Sequence, residues 1–329
     1  MPPFLSVCVP TYNRRQKLAE CLGQLLPQAE RHGDVEIVVS DNASTDDTPT
    51  FLASLPADPR VRILRNETNL GMDGNTLALM AAAQGEYVAF LSDDDIPTDA
   101  YLDRVLAALR AWRPSMLYLN YYAFWRDWRL SVETFFPEED VEFRTLGQGI
   151  LYCGLSHFSA VVVEKAAAVQ ALEDIRHAVA QQVSRGYAFG SFAYGALAYG
   201  AKGGRFLGQR VLANRAPERV DYDVITNTCI DNPKGLIYWN SKGLLSDDDL
   251  RAKIRQVGGG LPAAIASHRI RNGLPLTFRI WRELAALYGN SWRFWIVNTP
   301  LALMPAVLLR PLYRLGVAQK MRLKRLRWI

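Results

Sequence analysis

Histidine and cysteine are scarce in this chain: four of each in 329 residues. Cys8, Cys21, Cys153 and Cys229 form no CxxC pair and match no zinc-finger spacing, which argues against a structural zinc module. Thiols so few and scattered read as reduced and structural, the pattern of the cytosol. Glycine is missing where the first apolar run ends, in PTYNRR. The absence of a GxGxxG turn disfavours a dehydrogenase. A sugar-phosphate nucleotidyltransferase, which would also want a glycine-rich phosphate loop there, becomes the nearest enzymatic rival rather than the first choice. The opening MPPFLSVCVPTYNRR has no basic segment followed by a long apolar run, so no secretory signal is expected. The late apolar stretch FWIVNTPLALMPAVLL has 16 residues and contains Pro300 and Pro305, whereas a membrane-spanning helix needs ~20. There is no internal repeat.

Acid is absent from the last twenty residues. Positions 310–329 hold Arg310, Arg314, Lys320, Arg322, Lys324, Arg325 and Arg327, so a net charge of +5 becomes −2 for the remainder. The basicity belongs to the tail, which speaks against a nucleic-acid-binding body and for a local anionic partner of that tail.

With 49% hydrophobic and 22% charged residues, the chain reads as globular. Over the first 120 residues apolar runs alternate with amphipathic ones. FLSVCVP, VEIVVS, VRILRN, EYVAFL and SMLYLNYYAF read as strands. RRQKLAECLGQLLPQAE, TDDTPTFLASL, NTLALMAAA and AYLDRVLAALRAW read as helices. This alternation predicts an α/β fold with a mostly parallel central sheet and flanking helices. Further on, WRLSVETFF reads as an edge strand or hairpin arm, HFSAVVV as a strand and KAAAVQALEDIRHAVAQQV as a helix. SRGYAFGSFAYGALAYGAKGG, rich in small residues, reads as a closely packed helix with loops. SDDDLRAKIRQV opens another helix, which Gly258-Gly259-Gly260 is expected to break.

Asp93-Asp94-Asp95 follows the strand YVAFL after Ser92. Ligands of parallel sheets bind beyond the carboxyl ends of the strands. Three adjacent carboxylates there repel one another unless a cation or donors compensate; Mg²⁺, held by one or two carboxylates plus substrate phosphates, suits the place. Ser246-Asp247-Asp248-Asp249 repeats the same four letters, but at the start of an amphipathic helix, where Ser246 and Asp249 make a capping box. Pro10-Thr11-Tyr12-Asn13, Asp41-Asn42 and Asn69 to Asn75 lie at further strand ends. Each alone suits a turn; together they form a polar rim along one sheet edge, where a nucleotide would lie.

SVCVPTYNR, VVSDNASTDDT, NLGMDGN and GEYVAFLSDDD, in this order and spacing, resemble the N-terminal half of a family 2 glycosyltransferase with the GT-A fold over about residues 4–112. The NLGMDGN segment with the acidic triplet is similar to bacterial O-antigen and capsule sugar transferases, including abequosyltransferase-like enzymes. The resemblance implies that Pro10, Thr11, Tyr12 and Asn13 wall the nucleobase and ribose. Asp41, with Asn42 beside it, would accept a hydrogen bond from the base, and Gly71 and Asn75 would border the donor pocket. It further implies that Asp93 meets the ribose or sugar, that Asp95, with Asp93, holds Mg²⁺ or Mn²⁺ on the diphosphate, and that Asp94 sits between them. On this view 1–120 is the nucleotide-sugar-binding half, 121–240 the acceptor-binding half and 241–329 a C-terminal helical region. The reaction implied is transfer, with inversion, from a nucleotide-diphosphate sugar to a hydroxyl of a glycan or polyprenyl-linked acceptor.

Many family members carry a Glu-Asp pair in the region equivalent to 183–210; here VSRGYAFGSFAYGALAYGAKGGRFLGQR holds no acid. Candidate bases are therefore His157, favoured for an imidazole that titrates near working pH, Asp221, Asp223, and Glu138, Glu139 or Asp140. Arg215 and Arg219 could assist the diphosphate. The missing pair also sustains a non-catalytic reading, a membrane-bound sugar-nucleotide-binding or scaffold protein. Trp281, Trp292, Trp295 and Trp328 interleave with basic residues, which suits helices lying on an anionic bilayer. The location expected is cytoplasmic, peripheral on the inner face of the cell membrane; a helical cap or dimer contact is the alternative for this segment.

Overall fold

A computed structural model describes residues 2–311 apart from 132, 156, 184, 185, 217–224, 272–275 and 306. Asp221, Asp223, Arg219 and the tail beyond 311 lie outside the described residues. The chain divides into two compact units, Met1–Pro217 and Glu218–Ile329.

The first unit holds, among the described residues, one ten-stranded sheet. Its strands are β1 (Leu5–Thr11), β2 (Val35–Asp41), β3 (Val61–Arg65), β4 (Tyr87–Phe90), β5 (Ile96–Pro97), β6 (Met116–Phe124), β7 (Glu133–Thr134), β8 (Val141–Phe143), β9 (Val161–Glu164) and β10 (Gly204–Arg215). They run in the order β3-β2-β1-β4-β9-β6-β10-β5, with β7 on β6 and β8 on β10. β1 to β4 are mutually parallel, as are β6 and β10, while β9 lies antiparallel between β4 and β6. The helices are α1 (Arg15–Ala29), α2 (Thr48–Ala53), α3 (Gly71–Ala82), α4 (Tyr101–Trp112), α5 (Leu146–Cys153), α6 (Lys165–Ala168), α7 (Leu172–Ala180) and α8 (Ala188–Tyr199). β2 is buried at every position, the mark of a strand covered on both faces. α1 turns Leu18, Cys21, Leu22 and Leu25 inward at helical spacing. The parallel register, in which Thr11 stands opposite Asp41, brings the carboxyl ends of these strands to one edge. All four cysteines are buried thiols, and burial pushes the Cys8 thiol well up.

The structure departs from the sequence reading in three places. The segment Gly204–Arg215, to which the sequence reading assigned no strand, is the longest strand of the sheet among the described residues. Its register on β6 shifts between Leu207 and Arg210 and again between Arg210 and Leu212, and such bulges erase the period-two alternation that marks a strand. The helix read over 165–183 is broken into α6, a 3-10 turn and α7. In the second unit, with α9 (Asn232–Ser241), α10 (Asp247–Arg271), α11 (Phe278–Tyr288) and α12 (Thr299–Leu303), α10 runs straight through Gly258, Gly259 and Gly260. Leu261 and Ile265 lie in a core with Ile225, Cys229, Leu284, Tyr288 and Phe294, and a Cβ on Gly258 would stand 3.1 Å from the Tyr288 ring. Packing there outweighs the ~1 kcal/mol that a helical glycine costs. The capping box is present: Ser246 Oγ accepts the Asp249 N–H at 3.1 Å and donates to the Asp249 carboxylate at 2.7 Å. Among the described residues no helix is long and apolar enough to cross a membrane.

β4, which delivers the acidic triplet, enters the sheet over Gly85. Gly85 N–H donates to Ser6 Oγ at 2.7 Å, and an added Cβ would meet Ser6 N at 2.6 Å and Tyr87 O at 2.8 Å. Gly85→Ala is expected to lose about 1–3 kcal/mol or more of stability. A melting temperature equal to the wild type's would refute this account of the close approach.

Candidate functional site

Four loops leave the carboxyl ends of β1 to β4, and their side chains stitch them together. Asn13 holds a left-handed backbone, φ 53, which asparagine tolerates better than most residues. Its side-chain oxygen accepts the Thr45 N–H at 2.7 Å, and its own N–H donates to Ser44 Oγ at 2.9 Å. Asp41 is 1% exposed; it accepts the Ser44 N–H at 2.9 Å and pairs with Arg65 at 2.8 Å. Asn42 donates to Asn69 Oδ1 and the Gly71 carbonyl, and accepts from Asn66 and the Leu70 N–H. Asn75, buried on α3, accepts the Ser40 hydroxyl at 2.6 Å. Gly71 has φ 70, the left-handed region that glycine enters without cost. Pro10 is half-buried and Tyr12 exposed, so the end of β1 offers an open aromatic face.

The acidic triplet closes this rim. Asp93 is 3% exposed; it accepts from Thr11 Oγ1 at 2.7 Å and from Arg14 Nη1 at 3.1 Å. The same guanidinium nitrogen reaches Asp94 at 3.2 Å, with Lys17 at 3.8 Å and the Ser92 hydroxyl at 2.6 Å. Asp95 is 2% exposed and gathers three elements. Its Oδ1 accepts from Asn214 Nδ2 at 2.9 Å and the Arg215 N–H at 3.1 Å, both at the end of β10. Its Oδ2 accepts the Ser159 hydroxyl at 2.6 Å and faces His157 Nε2 at 3.4 Å. The Arg215 side chain donates to the Asp94 carbonyl and lies over Phe124.

Burial, opposed by Arg14 and reinforced by the Asp94 charge, pushes Asp93 up to about 6. Burial acts the same way on Asp95, but the His157 imidazole, the Ser159 hydroxyl and the Arg215 N–H outweigh it and hold that carboxyl below its ordinary value.

The triplet, Thr11, Asp41, Asn42, Gly71 and Asn75 thus share one edge. His157 joins them: its ring packs on Tyr121 with centroids 4.2 Å apart, and its buried Nε2 has no hydrogen-bond partner although it faces Asp95. Glu138 instead pairs with Arg210, and Asp140 accepts the Gly208 N–H at 2.8 Å, both at the bulged middle of β10. Sequence reasoning missed Arg14, Ser159 and Asn214; the last sits on the strand whose pattern is hidden. It also passed over Asp73, on the first turn of α3, which accepts the N–H groups of Gly186 at 2.7 Å and Ala188 at 2.9 Å at the start of α8.

Asp95 and its neighbours offer donor types that suit a divalent cation. A carboxylate beside an orphaned imidazole nitrogen, with the partly exposed Asp94 next to it, supplies the oxygen and nitrogen donors that Mg²⁺ or Mn²⁺ accept. Among the described residues no group of three or more His, Cys, Asp or Glu is arranged so that it could hold a metal ion by itself, so phosphate oxygens and water would have to complete the shell.

The chain's similarities are consistent with this geometry. Residues 6–159 match the family described as Glycosyl transferase family 2. Abequosyltransferase RfbV of Salmonella typhimurium is 40% identical over 100 residues, 30% of each chain. The GalNAc(5)-diNAcBac-PP-undecaprenol beta-1,3-glucosyltransferase of Campylobacter jejuni is 39% identical over 95 residues, 28% of this chain and 30% of the other. The alignments with both thus span less than a third of those relatives. Among solved structures, S. aureus TarS 1–349 in complex with UDP-GlcNAc superposes with a TM-score of 0.54 at 18% identity, over 94% of this chain and 78% of that one. The mannosyltransferase PcManGT from Pyrobaculum calidifontis, in complex with GDP-Man and Mn²⁺, gives 0.51 at 16%, over 98% and 81%. These structures share the fold, so the sheet and its flanking helices have the GT-A fold.

The raised Asp93 carries a pH signature. Its folded value, about 6, exceeds the ordinary 3.8, so the folded state binds the proton more tightly. The group therefore costs stability increasingly as pH rises from 3.8 to about 6, and by a constant amount above. Asp93→Asn removes that cost, at most about 3 kcal/mol at ~1.4 kcal/mol per pH unit. In calorimetry without divalent ions, the variant's melting temperature relative to wild type is expected to be higher at about pH 7.5 than at about pH 4. A difference that does not change with pH would contradict the burial argument.

Proposed function

We propose, from the premise that residues 6–159 are a family 2 glycosyltransferase domain, that this protein moves a sugar from a nucleotide-diphosphate donor to a hydroxyl of a glycan or polyprenyl-linked acceptor during synthesis of a bacterial surface polysaccharide. The observation that carries the reading is the convergence of Thr11, Asp41 and the Asp93–Asp95 triplet on one sheet edge, with Arg14 bridging two of the acids. The names of the abequosyltransferase and of the undecaprenol-linked glucosyltransferase support the process and a lipid-linked acceptor. The UDP-GlcNAc and the GDP-Man with Mn²⁺ in the TarS and PcManGT complexes support a nucleotide-sugar donor and a divalent ion.

In this reading Pro10, Thr11, Tyr12 and Asn13 wall the nucleobase and ribose, with Asp41 and Asn42 beneath the base and Gly71 and Asn75 at the pocket border. Asp93 meets the ribose or sugar, and Asp95 would hold Mg²⁺ or Mn²⁺ with Asp93 and Asp94 adjacent. Bound there, such an ion would supply positive charge to offset the negative charge developing on the departing diphosphate. Arg14 and Lys17, already beside the acids, add fixed positive charge where that diphosphate lies. Transfer proceeds with inversion: the acceptor hydroxyl attacks the anomeric carbon from the face opposite the leaving group. Residues 1–120 serve the donor and 121–240 the acceptor. The region 241–329 would rest on the inner face of the cell membrane, an assignment supported by the exposed Trp292, Trp295, Ile296 and Leu303 and by the basic tail. A non-catalytic sugar-nucleotide-binding role is the second reading, favoured only by the absence of an acid pair between 183 and 210.

Two measurements test this. UDP-GlcNAc, UDP-glucose and GDP-mannose are screened by thermal shift with Mn²⁺ or with EDTA; at 100 times its Kd a true donor adds about 2.7 kcal/mol. Mn²⁺-dependent stabilisation by one donor class is expected, with Asp95→Ala abolishing it and lowering turnover by about 100-fold or more. Unchanged turnover in that variant would remove Asp95 from the metal site. In liposome flotation, full-length protein should rise with vesicles containing anionic lipid, and a variant ending at 311 with Trp292 and Trp295 changed to Ser should not. Equal flotation of the two would refute the membrane assignment.

A further inference from the structure

Helix α8 begins without an acid in its first turn and without a side-chain cap of its own. Its exposed N–H groups are met from elsewhere in the chain. Asp73, on the first turn of α3, takes the Gly186 N–H on Oδ2 at 2.7 Å and the Ala188 N–H on Oδ1 at 2.9 Å. The turn that carries Asp73 also carries Gly71 and Asn75, the residues tied to the end of β2. This carboxylate therefore stands where the donor rim meets the start of α8.

We infer that Asp73 is the general base of the transfer reaction, accepting the proton of the attacking hydroxyl. The inference rests on the glycosyltransferase reading above. The other buried carboxylates of the rim are engaged with cationic side chains or an imidazole: Asp41 with Arg65, Asp93 with Arg14, Asp95 with His157. Asp73 has two backbone amides instead, one per oxygen, which fix its orientation and leave a lone pair on each oxygen for a substrate proton. Burial raises its proton affinity and the two amides only partly offset this; no charged side chain enters the balance. A carboxylate lifted above its ordinary value is a better base near neutral pH. His157 is held with its buried Nε2 facing Asp95 at 3.4 Å. In the step itself, an oxygen of Asp73 takes the hydroxyl proton while the acceptor oxygen bonds to the anomeric carbon. The bond from that carbon to the diphosphate breaks, and its electron pair leaves with the nucleoside diphosphate.

The test uses the full chain with Mn²⁺ and UDP-GlcNAc, UDP-glucose or GDP-mannose, water serving as acceptor. Binding is followed by calorimetry and turnover by release of nucleoside diphosphate. Asp73→Asn keeps an oxygen to cap α8. It is expected to bind donor within about threefold of wild type yet release diphosphate at least ~100-fold more slowly, the size of a lost general base. Asp73→Glu should recover part of the rate. Wild-type kcat/KM should fall steeply on the acid side as Asp73 and Asp93, both raised, take up protons, and Asp73→Asn should keep only the shallower, single-proton fall of Asp93. Turnover of Asp73→Asn within threefold of wild type overturns the inference and leaves the glycosyltransferase reading standing. If Asp73→Asn does not fold, Asp73→Glu decides: turnover lowered more than threefold with donor binding kept supports Asp73, and turnover within threefold of wild type overturns the inference. Wild type that binds donor but releases none overturns the inference; wild type that binds no donor overturns both.

Discussion

One buried carboxylate organises the working edge of this protein. Asp95 accepts hydrogen bonds from the end of β10 and from the turn before β9, and it does so at the exit of β4. A charge so deeply buried is unfavourable unless donors surround it. Meeting that demand forces three chain segments, separated by up to 120 residues, into one place. The remaining features of the rim, from the Asn13 turn to the Asn42 network, adjoin this knot.

The same four letters, Ser-Asp-Asp-Asp, occur twice and do different work. At 246–249 they stand at a helix start in the second unit, where the serine caps and the acids meet the positive end of the helix. At 92–95 they leave a buried parallel strand, and two of the three acids are nearly inaccessible. Composition cannot distinguish the two; the element that precedes them does.

Much of the first unit was legible because its central strands are covered on both faces and so read as unbroken apolar runs. β1, β2 and β4, their parallel arrangement and the polar residues at their ends followed from that pattern, whereas β3, at the end of the strand order, is only partly buried. β10 did not, since two register shifts break its alternation, and with it went Asn214. The helix through Gly258 to Gly260 was misread because local propensity yields to the packing of Leu261, Ile265 and Tyr288. Asp73 was hidden for a different reason: its partner amides lie 113 and 115 residues away, and backbone donors leave no letter in a sequence.

Arg14 touches Asp93 and Asp94 with the same nitrogen, so a monovalent organic ion already quiets the repulsion between those acids. Under the proposed function, a dication arriving alone would compete with that guanidinium, whereas a pyrophosphate arriving with it would offer Arg14 a new anion; ion and nucleotide would then raise each other's affinity by the same factor.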